Sequence, residues 1–200
     1  MDKINTVSRG CIEGCLKMFD DARSGLKISV CEDSMLYPLA KSGLEMVDCY
    51  RTDAANFIGS KDYVTAFAAI NYAHAWIGCF TDLGLFTSNR GEDLFRRLPS
   101  NDDKGQAITD EKMAKYLDIT TRARKKLNIS PPVRSFDRKL AIQFLDTSES
   151  YFKEAVEYRN RYDYVKAFAS VNYAHAWLDG GARMGLFDVE EDDVLFTLYE

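Results

Sequence analysis

Apolar residues recur at helical spacing in three successive stretches of the N-terminal half of the chain. In the second stretch they form one stripe of residues three and four positions apart: Ala40, Gly43, Val47, Tyr50, Ala54 and Phe57. The third stretch begins at about residue 63 and is apolar on almost every side, which is typical of a helix buried on several sides. No segment is rich in β-forming residues, so we predict three helices and an all-α fold.

Residues that favour helix ends border these stretches and recur at matching places in the second half. Good N-caps for the first helix are Ser8 and Thr109, the second helix is expected to start near Ser34 and Ser135, and Gly84 and Gly185 fit the left-handed position after the third helix. Pro38 is expected to delay the second helix in the first half. Each half is therefore predicted to contain the same three helices.

The chain repeats itself with a period of 101 residues, the offset between Asp62 and Asp163. Residues 62–86 and 163–187 align without a gap, and fifteen of these twenty-five positions are identical. The same offset pairs Leu94-Phe95 with Leu195-Phe196. A tandem duplication of one three-helix module accounts for this match.

We place copy one at residues 1–99 and copy two at residues 107–200, joined near the polar, turn-rich stretch 99–106. The two modules are expected to pack about an approximate two-fold axis, as a pseudo-dimer within one chain. Phe80 in copy one corresponds to Gly181 in copy two. We expect this exchange to let the bulky side chain of one copy enter a notch in the other.

The segment "DYVKAFASVNYAHAWLDGGARMGLF", preceded by "YFKEAVEY" and "KKLNISPP", resembles the archaeal domain-of-unknown-function family numbered 357. The resemblance covers most of residues 110–189 and, more loosely, about 9–88. It implies a small three-helix module from archaea and no known activity. Copy one diverges from the family pattern, because it has Ile77-Gly78 where the family has Leu-Asp, and Asp82 where copy two has Arg183.

Composition and charge narrow the class of protein. Hydrophobic residues make up 46% and charged residues 28% of the chain, which is normal for a globular protein. The net charge of −5 gives no overall basic surface for nucleic acid or an anionic membrane. The one basic run, residues 122–126, complements the C-terminal end of a helix dipole, so we do not expect a nucleic-acid partner. With no signal-peptide pattern and no apolar stretch long enough to span a bilayer, a cytoplasmic location without membrane association is expected.

Cysteine usage and the missing metal motifs argue against a disulfide framework and against a cofactor. The five cysteines, all in the first half, are odd in number and no export signal is found, so we expect reduced thiols that act as small buried hydrophobes. Helical di-iron sites use Glu-x-x-His, whereas both copies have Asn-x-x-His, and amide oxygens are weak ligands for such metals. We therefore expect neither a metal nor any other cofactor.

Both histidines of the protein lie in the repeated hexapeptide "NYAHAW". In copy two, Asn172, His175, Asp179 and Arg183 are spaced three, four and four, so they form a ladder along one helix face. Such a ladder is a candidate ligand site or general base, because a carboxylate one turn away can orient an imidazole. It is equally typical of a buried polar layer between helices, which we favour because copy one keeps Asn71 and His74 without the charged half.

Two classes of function remain after these exclusions. The first is a non-catalytic protein-interaction or scaffold module, in which two similar bundles present a joint surface to a protein partner. The second is a small-ligand binder or enzyme that uses a site at His175, Asp179 and Arg183. We favour the first class. Solvent access to the ladder distinguishes the two, since only the second requires a concave pocket there.

Overall fold

In a computed structural model of the protein, residues 4–88 and 105–198 are described. These ranges contain six helices: α1 (Arg9–Ser24), α2 (Tyr37–Gly59), α3 (Tyr63–Asp82), α4 (Asp110–Lys126), α5 (Phe136–Asn160) and α6 (Tyr164–Arg183). Each helix of the first set has its counterpart about 101 residues later, so the predicted all-α fold and the duplication are confirmed. Leu94-Phe95 and most of the predicted linker at 99–106 lie outside the described residues.

The helix starts follow the predicted caps. The hydroxyl of Ser8 accepts a hydrogen bond from the amide of Cys11 at 3.2 Å, and the hydroxyl of Thr109 accepts one from Lys112 at 3.1 Å. Each bond satisfies an amide that the first helical turn leaves without a partner. Ser135 caps α5 in the same way, whereas Pro38 lies in the first turn of α2, which starts only at Tyr37. The expected delay in copy one is confirmed.

A glycine in the left-handed region ends the third helix of each module. Gly84 and Gly185 both have φ of 72°, where a side chain would be strained. The amide of Leu85 donates to the carbonyl of Phe80 at 2.9 Å, and Leu186 donates to Gly181 at the same distance. These bonds satisfy carbonyls at the end of the helix and fold the next leucine back, as the sequence predicted.

Each module packs its long helices around a buried third helix. Trp76 in α3 is 0% exposed and Trp177 in α6 is 3% exposed, so the predicted burial of both tryptophans is confirmed. The apolar face of α2 buries Ala40, Val47 and Ala54, while Tyr50 is only half-buried at its edge. None of the helices in the described ranges is long and apolar enough to cross a membrane.

Within the described ranges, six two-residue strands that were not expected in the all-α pattern pair with one another: β1 (Thr6–Val7), β2 (Lys27–Ile28), β3 (Phe86–Thr87), β4 (Gln106–Ala107), β5 (Asn128–Ile129) and β6 (Phe187–Asp188). Strand β2 pairs with β3 inside module one, and β5 pairs with β6 inside module two. The pair β1 and β4 instead joins the start of one module to the start of the other. These short strand pairs connect segments outside the helices and do not form a sheet layer.

The modules are related by an approximate two-fold axis, as predicted. Thr6 lies opposite Ala107, its own counterpart at an offset of 101, in the antiparallel pair of β1 and β4. A Cβ atom at Gly180 would lie 3.5 Å from the sulfur of Cys79, which is again its counterpart. Equivalent residues meet each other only near a two-fold axis, where a surface packs against a copy of itself. Helices α3 and α6 therefore cross at this axis.

The predicted insertion of Phe80 into a notch of the other copy is wrong. The ring of Phe80 covers Gly43 of its own module, where a Cβ atom would lie 2.3 Å from the ring. The space at Gly181 is filled by Phe187 of module two, and Phe144, the counterpart of Gly43, packs edge-on to Trp177 at 4.7 Å. The exchange is therefore compensated inside each module, by Phe80 over Gly43 in copy one and by Phe187 over Gly181 in copy two.

The five cysteines are free thiols. Cys15 and Cys79 are buried and Cys11 is half-buried, but Cys31 and Cys49 are exposed. The expectation that the cysteines act as small buried hydrophobes is therefore wrong for the last two, which lie in a loop and on the outer face of α2.

Candidate functional site

The four residues of the ladder in α6 divide into two groups with different neighbours. Asn172 and His175 border a cleft between the modules. Asp179 and Arg183, one and two turns further along, are bonded to the C-terminal segment and to module one. The helical spacing thus places the four side chains on one face. The first two border the cleft, and the last two contact the C-terminal segment and module one.

Asp179 is a fully buried carboxylate with both oxygens satisfied. The hydroxyl of Tyr72, in module one, donates to its Oδ2 at 2.7 Å, and the amide of Thr197 donates to its Oδ1. A buried carboxylate is costly unless such donors offset its desolvation, and bonds to a charged acceptor are stronger than neutral ones. Asp179 therefore joins α6, α3 and the C-terminal segment.

Arg183 anchors the same segment from the end of α6. Its Nη1 donates to the carbonyls of Thr197 and Leu198 at 3.4 and 3.2 Å, and its Nε donates to the hydroxyl of Ser42 in module one at 3.2 Å. The cation also lies at the C-terminal end of the helix, where the helix dipole favours positive charge. Asp179 and Arg183 together hold the chain end against both modules.

His175 is held in one tautomer by a backbone carbonyl. Its Nε2 lies 3.0 Å from the carbonyl oxygen of Leu195, which can only accept, so Nε2 carries the proton. The other nitrogen, Nδ1, is then an acceptor and has no hydrogen-bond partner among the described residues. Burial lowers the pKa of His175, and the nearby charge of Asp179 opposes the shift only in part. The imidazole is therefore neutral near pH 7.

The cleft has a volume of about 290 Å³ and lies between α2 and α3 of module one and α4 and α6 of module two. Its lining consists of Tyr50, Asp53, Phe57, Thr65, Ala68, Ala69, Tyr72, Tyr116, Ile119, Thr120, Asn172 and His175. Most of these side chains are apolar or aromatic, and a few polar groups converge among them. This composition is typical of a small-molecule site.

The place related to the cleft by the two-fold axis has a different lining. Thr120 of α4 corresponds to Phe19 of α1, whose ring is fully buried, and Thr65 corresponds to Lys166. A phenylalanine is far larger than a threonine, so the duplicated position is filled in one copy and leaves space in the other. At this position the described residues of the two sides therefore differ in size.

Asn172 and His175 are the lining residues that the sequence indicates as candidates, whereas most of the lining, including Tyr50, Asp53 and Thr120, is not among the predicted site residues. Tyr50 was assigned only to the apolar stripe of the second helix. A signal for the cleft was present in the repeat, since Phe19 and Thr120 occupy the same position of the module. The lining comes from four helices, and their side-by-side placement follows only from the packing of the two modules.

A second cavity of about 330 Å³ lies between the end of α3 and α5. It is bordered by Asp82, Gln143, Asp146 and Trp177 among others, and it contains no residue of the ladder. Within residues 4–88 and 105–198, no three side chains of the metal-binding types come together.

The basic run at the end of α4 is engaged with carboxylates. Lys126 lies 2.8 Å from Glu190, Arg122 lies 3.8 Å from Asp118, and Arg124 pairs with Glu149. Ion pairs of this exposed kind contribute little stability, but they neutralise charge that a polyanion would otherwise meet.

These features define a class of protein: a tandem pair of three-helix modules about a pseudo-two-fold axis, with a cleft on one side of it. The chain belongs to the family described as "Protein of unknown function (DUF357)", which matches residues 16–86 and 115–187. The two matched regions correspond to the two copies, so the resemblance and the tandem arrangement are confirmed. No curated protein and no solved structure matches this chain.

Proposed function

We propose that the protein is a non-catalytic binding module that takes a small organic ligand into the cleft between its two copies. The observation that carries the proposal is the lining of this cleft of about 290 Å³: an apolar and aromatic wall that includes Asn172 and His175, whose buried Nδ1 has no hydrogen-bond partner among the described residues. Of the two classes of function left open by the sequence, this is the small-ligand class. The proposed site is the cleft beside His175 and no longer includes Asp179 and Arg183.

The surroundings of His175 support binding rather than acid–base catalysis. A general base needs a partner that stabilises its protonated form, and Asp179 is the carboxylate one turn away. Both oxygens of Asp179 already accept bonds from Tyr72 and Thr197, and burial holds the pKa of His175 below its ordinary value. A neutral imidazole held by Leu195 suits an acceptor for a ligand.

Thr120→Phe tests the proposal, because it recreates in α4 the residue that Phe19 supplies in α1. The phenylalanine should fill the cleft, so small fragments that bind the wild-type protein in ligand-observed NMR should lose binding at least tenfold. Thr52→Phe, on the exposed face of α2, is the matched control and should leave binding unchanged. Fragment binding that survives Thr120→Phe in a folded variant would refute the cleft as the site.

Protein interaction is a second candidate, and a repeated surface feature favours it. Met35 is 96% exposed and its counterpart Phe136 is 71% exposed, each beside the start of the second helix of its module. Large apolar side chains at equivalent exposed positions are typical of contact points for a partner. Under this candidate, as under the first, we expect a cytoplasmic protein.

The double variant Met35→Glu with Phe136→Glu tests the second candidate. Proteins that co-purify with the tagged wild type should be lost from this variant and retained by Thr120→Phe. The same set of proteins on both variants would contradict a role for the apolar tips.

A further inference from the structure

We infer that the ligand of the cleft is an organic cation, an ammonium group attached to a small apolar or aromatic body. This inference rests on the proposed binding function and specifies the chemistry of the ligand. Three observations support it: several donor groups of the lining are already bonded to protein acceptors, the charged residue of the described lining is a carboxylate, and an ammonium lies beside an aromatic ring at the pseudo-symmetric position in module two.

Four donor groups of the lining are bonded to protein acceptors. The hydroxyl of Tyr72 donates to Asp179 at 2.7 Å, and Nε2 of His175 donates to the carbonyl of Leu195 at 3.0 Å. Further bonds of this kind run from the amide nitrogen of Asn172 to the carbonyl of Phe168 at 2.7 Å and from the hydroxyl of Thr120 to the carbonyl of Tyr116 at 3.0 Å. These four polar groups therefore have no donor hydrogen left for a ligand, apart from the second amide hydrogen of Asn172.

The same side chains keep their acceptor atoms. Asn172 retains its carbonyl oxygen, Thr120 retains its oxygen lone pairs, and His175 retains Nδ1. Asp53 adds a carboxylate at the cleft, with no ion-pair or hydrogen-bond partner among the described residues. The hydroxyls of Tyr116 and Thr65 also line the cleft and can donate, so the lining has more acceptors than free donors rather than acceptors alone. This balance is complementary to a ligand that carries N–H donors.

The charge around the cleft has the matching sign. Asp53 is the only charged residue of the described lining, and Asp179 lies directly behind Tyr72. Lys112 is the nearby cation, but its ammonium is bonded to the hydroxyl of Thr65 at 2.9 Å and lies 4.0 Å from Asp62. Burial, together with the nearby negative charges of Asp179 and Asp53, raises the pKa of the Tyr50 phenol to about 12, so this hydroxyl stays neutral.

Aromatic rings supply the rest of the recognition. Tyr50 and Tyr72 meet edge to face with centroids 4.7 Å apart, and Phe57 and Tyr116 line the same cleft. A cation over such rings is stabilised by their quadrupoles, more strongly where water is excluded. At about 290 Å³ the cleft is at the lower end of the usual range for ligand sites, so it fits a body of about one ring.

The related place in the other half already holds a cation of the protein itself. The ammonium of Lys166, the counterpart of Thr65, lies 5.6 Å from the centroid of the Tyr158 ring, and Tyr158 is the counterpart of Phe57. In the cleft this position is Thr65, whose hydroxyl accepts a hydrogen bond from the ammonium of Lys112 at 2.9 Å. The pair of Lys166 and Tyr158 shows that this part of the module accommodates an ammonium beside an aromatic ring, and a ligand ammonium would lie beside Phe57 on the cleft side.

Calorimetric titration with three probes of one shape tests the inference: 2-phenylethylamine as the cation, 2-phenylethanol as the neutral analogue and phenylacetate as the anion. We expect the amine to bind at least about tenfold more tightly than the alcohol, and phenylacetate more weakly than either. Equal binding of amine and alcohol, preferred binding of phenylacetate, or no binding of the amine would overturn the cation inference.

Asp53→Asn separates the charge from the shape of the cleft. It should weaken binding of the amine by about fivefold or more and leave the alcohol unchanged, because only the ammonium gains from the carboxylate. Glu154→Gln, at the counterpart position in module two, is the matched control and should change neither. An unchanged amine affinity in a folded Asp53→Asn protein contradicts the inference. The fragment test with Thr120→Phe does not depend on the charge of the probe. It therefore tests the proposed binding function independently of the cation inference.

Discussion

His74 and His175 occupy the same position of a repeated hexapeptide, yet they lie in different surroundings. The Nδ1 of His74 lies 2.7 Å from the hydroxyl of Tyr173, and the residue is 1% exposed. His175 instead bonds through Nε2 to the carbonyl of Leu195 and borders the cleft. One duplicated residue thus became part of the packing between the modules in one half and part of a candidate site in the other.

A neighbouring pair of counterparts shows the cause of this difference. Phe19 in α1 is fully buried, whereas Thr120 in α4 is a small residue at the edge of the cleft. The tyrosines follow the same division, because Tyr173 is bonded to the imidazole of His74 and Tyr72 to the carboxylate of Asp179. Differences at helix positions such as this one accompany the asymmetry of the two modules, while the buried tryptophans are kept in both.

The largest effect is expected where the two halves are still alike, at the buried tryptophans. Trp76→Ala and Trp177→Ala should each lower the free energy of unfolding by about 3–5 kcal/mol, because each leaves a large cavity in a packed core. Chemical denaturation of both variants measures the effect, with Trp→Phe at each position as the milder control. A clearly smaller loss at one tryptophan would show that the two cores are not equivalent.

The next effect should separate the two tyrosines. Tyr72→Phe removes a donor from a buried carboxylate and should cost about 1.5–3 kcal/mol, whereas Tyr173→Phe removes a bond to an imidazole and should cost about 0.5–1.5 kcal/mol. Both changes keep the ring and its packing, so each variant controls for the other in the same denaturation experiment. Equal costs would argue against the charged character of the Tyr72 bond.

The helices, their caps and the duplication could be predicted from the sequence because they depend on local signals. Ser8, Thr109 and Gly84 act within one turn, and the repeat is visible by alignment alone. The division of the ladder could not be predicted, since Asp179 is bonded to Tyr72 and to Thr197, which are distant along the chain. Phe80 was assigned to the wrong partner for the same reason, because the sequence does not show that Gly43 faces it.

The smallest effect is expected in the pH dependence of stability. The pKa of His175 is lowered by burial, so the unfolded chain binds a proton more readily than the folded protein. The stability contributed by the neutral imidazole is therefore present above the unfolded pKa of about 6.5 and is lost as the pH falls through the folded pKa. Thermal melts from pH 7.5 to 5 should fall more steeply for the wild type than for His175→Gln, whose amide can still donate to Leu195. Parallel curves would place His175 in a more hydrated setting.

The central claim, that only one of the two counterpart positions is a ligand site, is tested most directly by ¹⁵N NMR of the imidazole nitrogens. The protein contains two histidines, so the spectrum reports both places at once. On titration with 2-phenylethylamine, we predict that the Nδ1 resonance of His175 shifts as it accepts a hydrogen bond and that the resonances of His74 stay in place. Thr120→Phe should abolish the shift. A shift at His74, or binding that leaves His175 unaffected, would contradict the account.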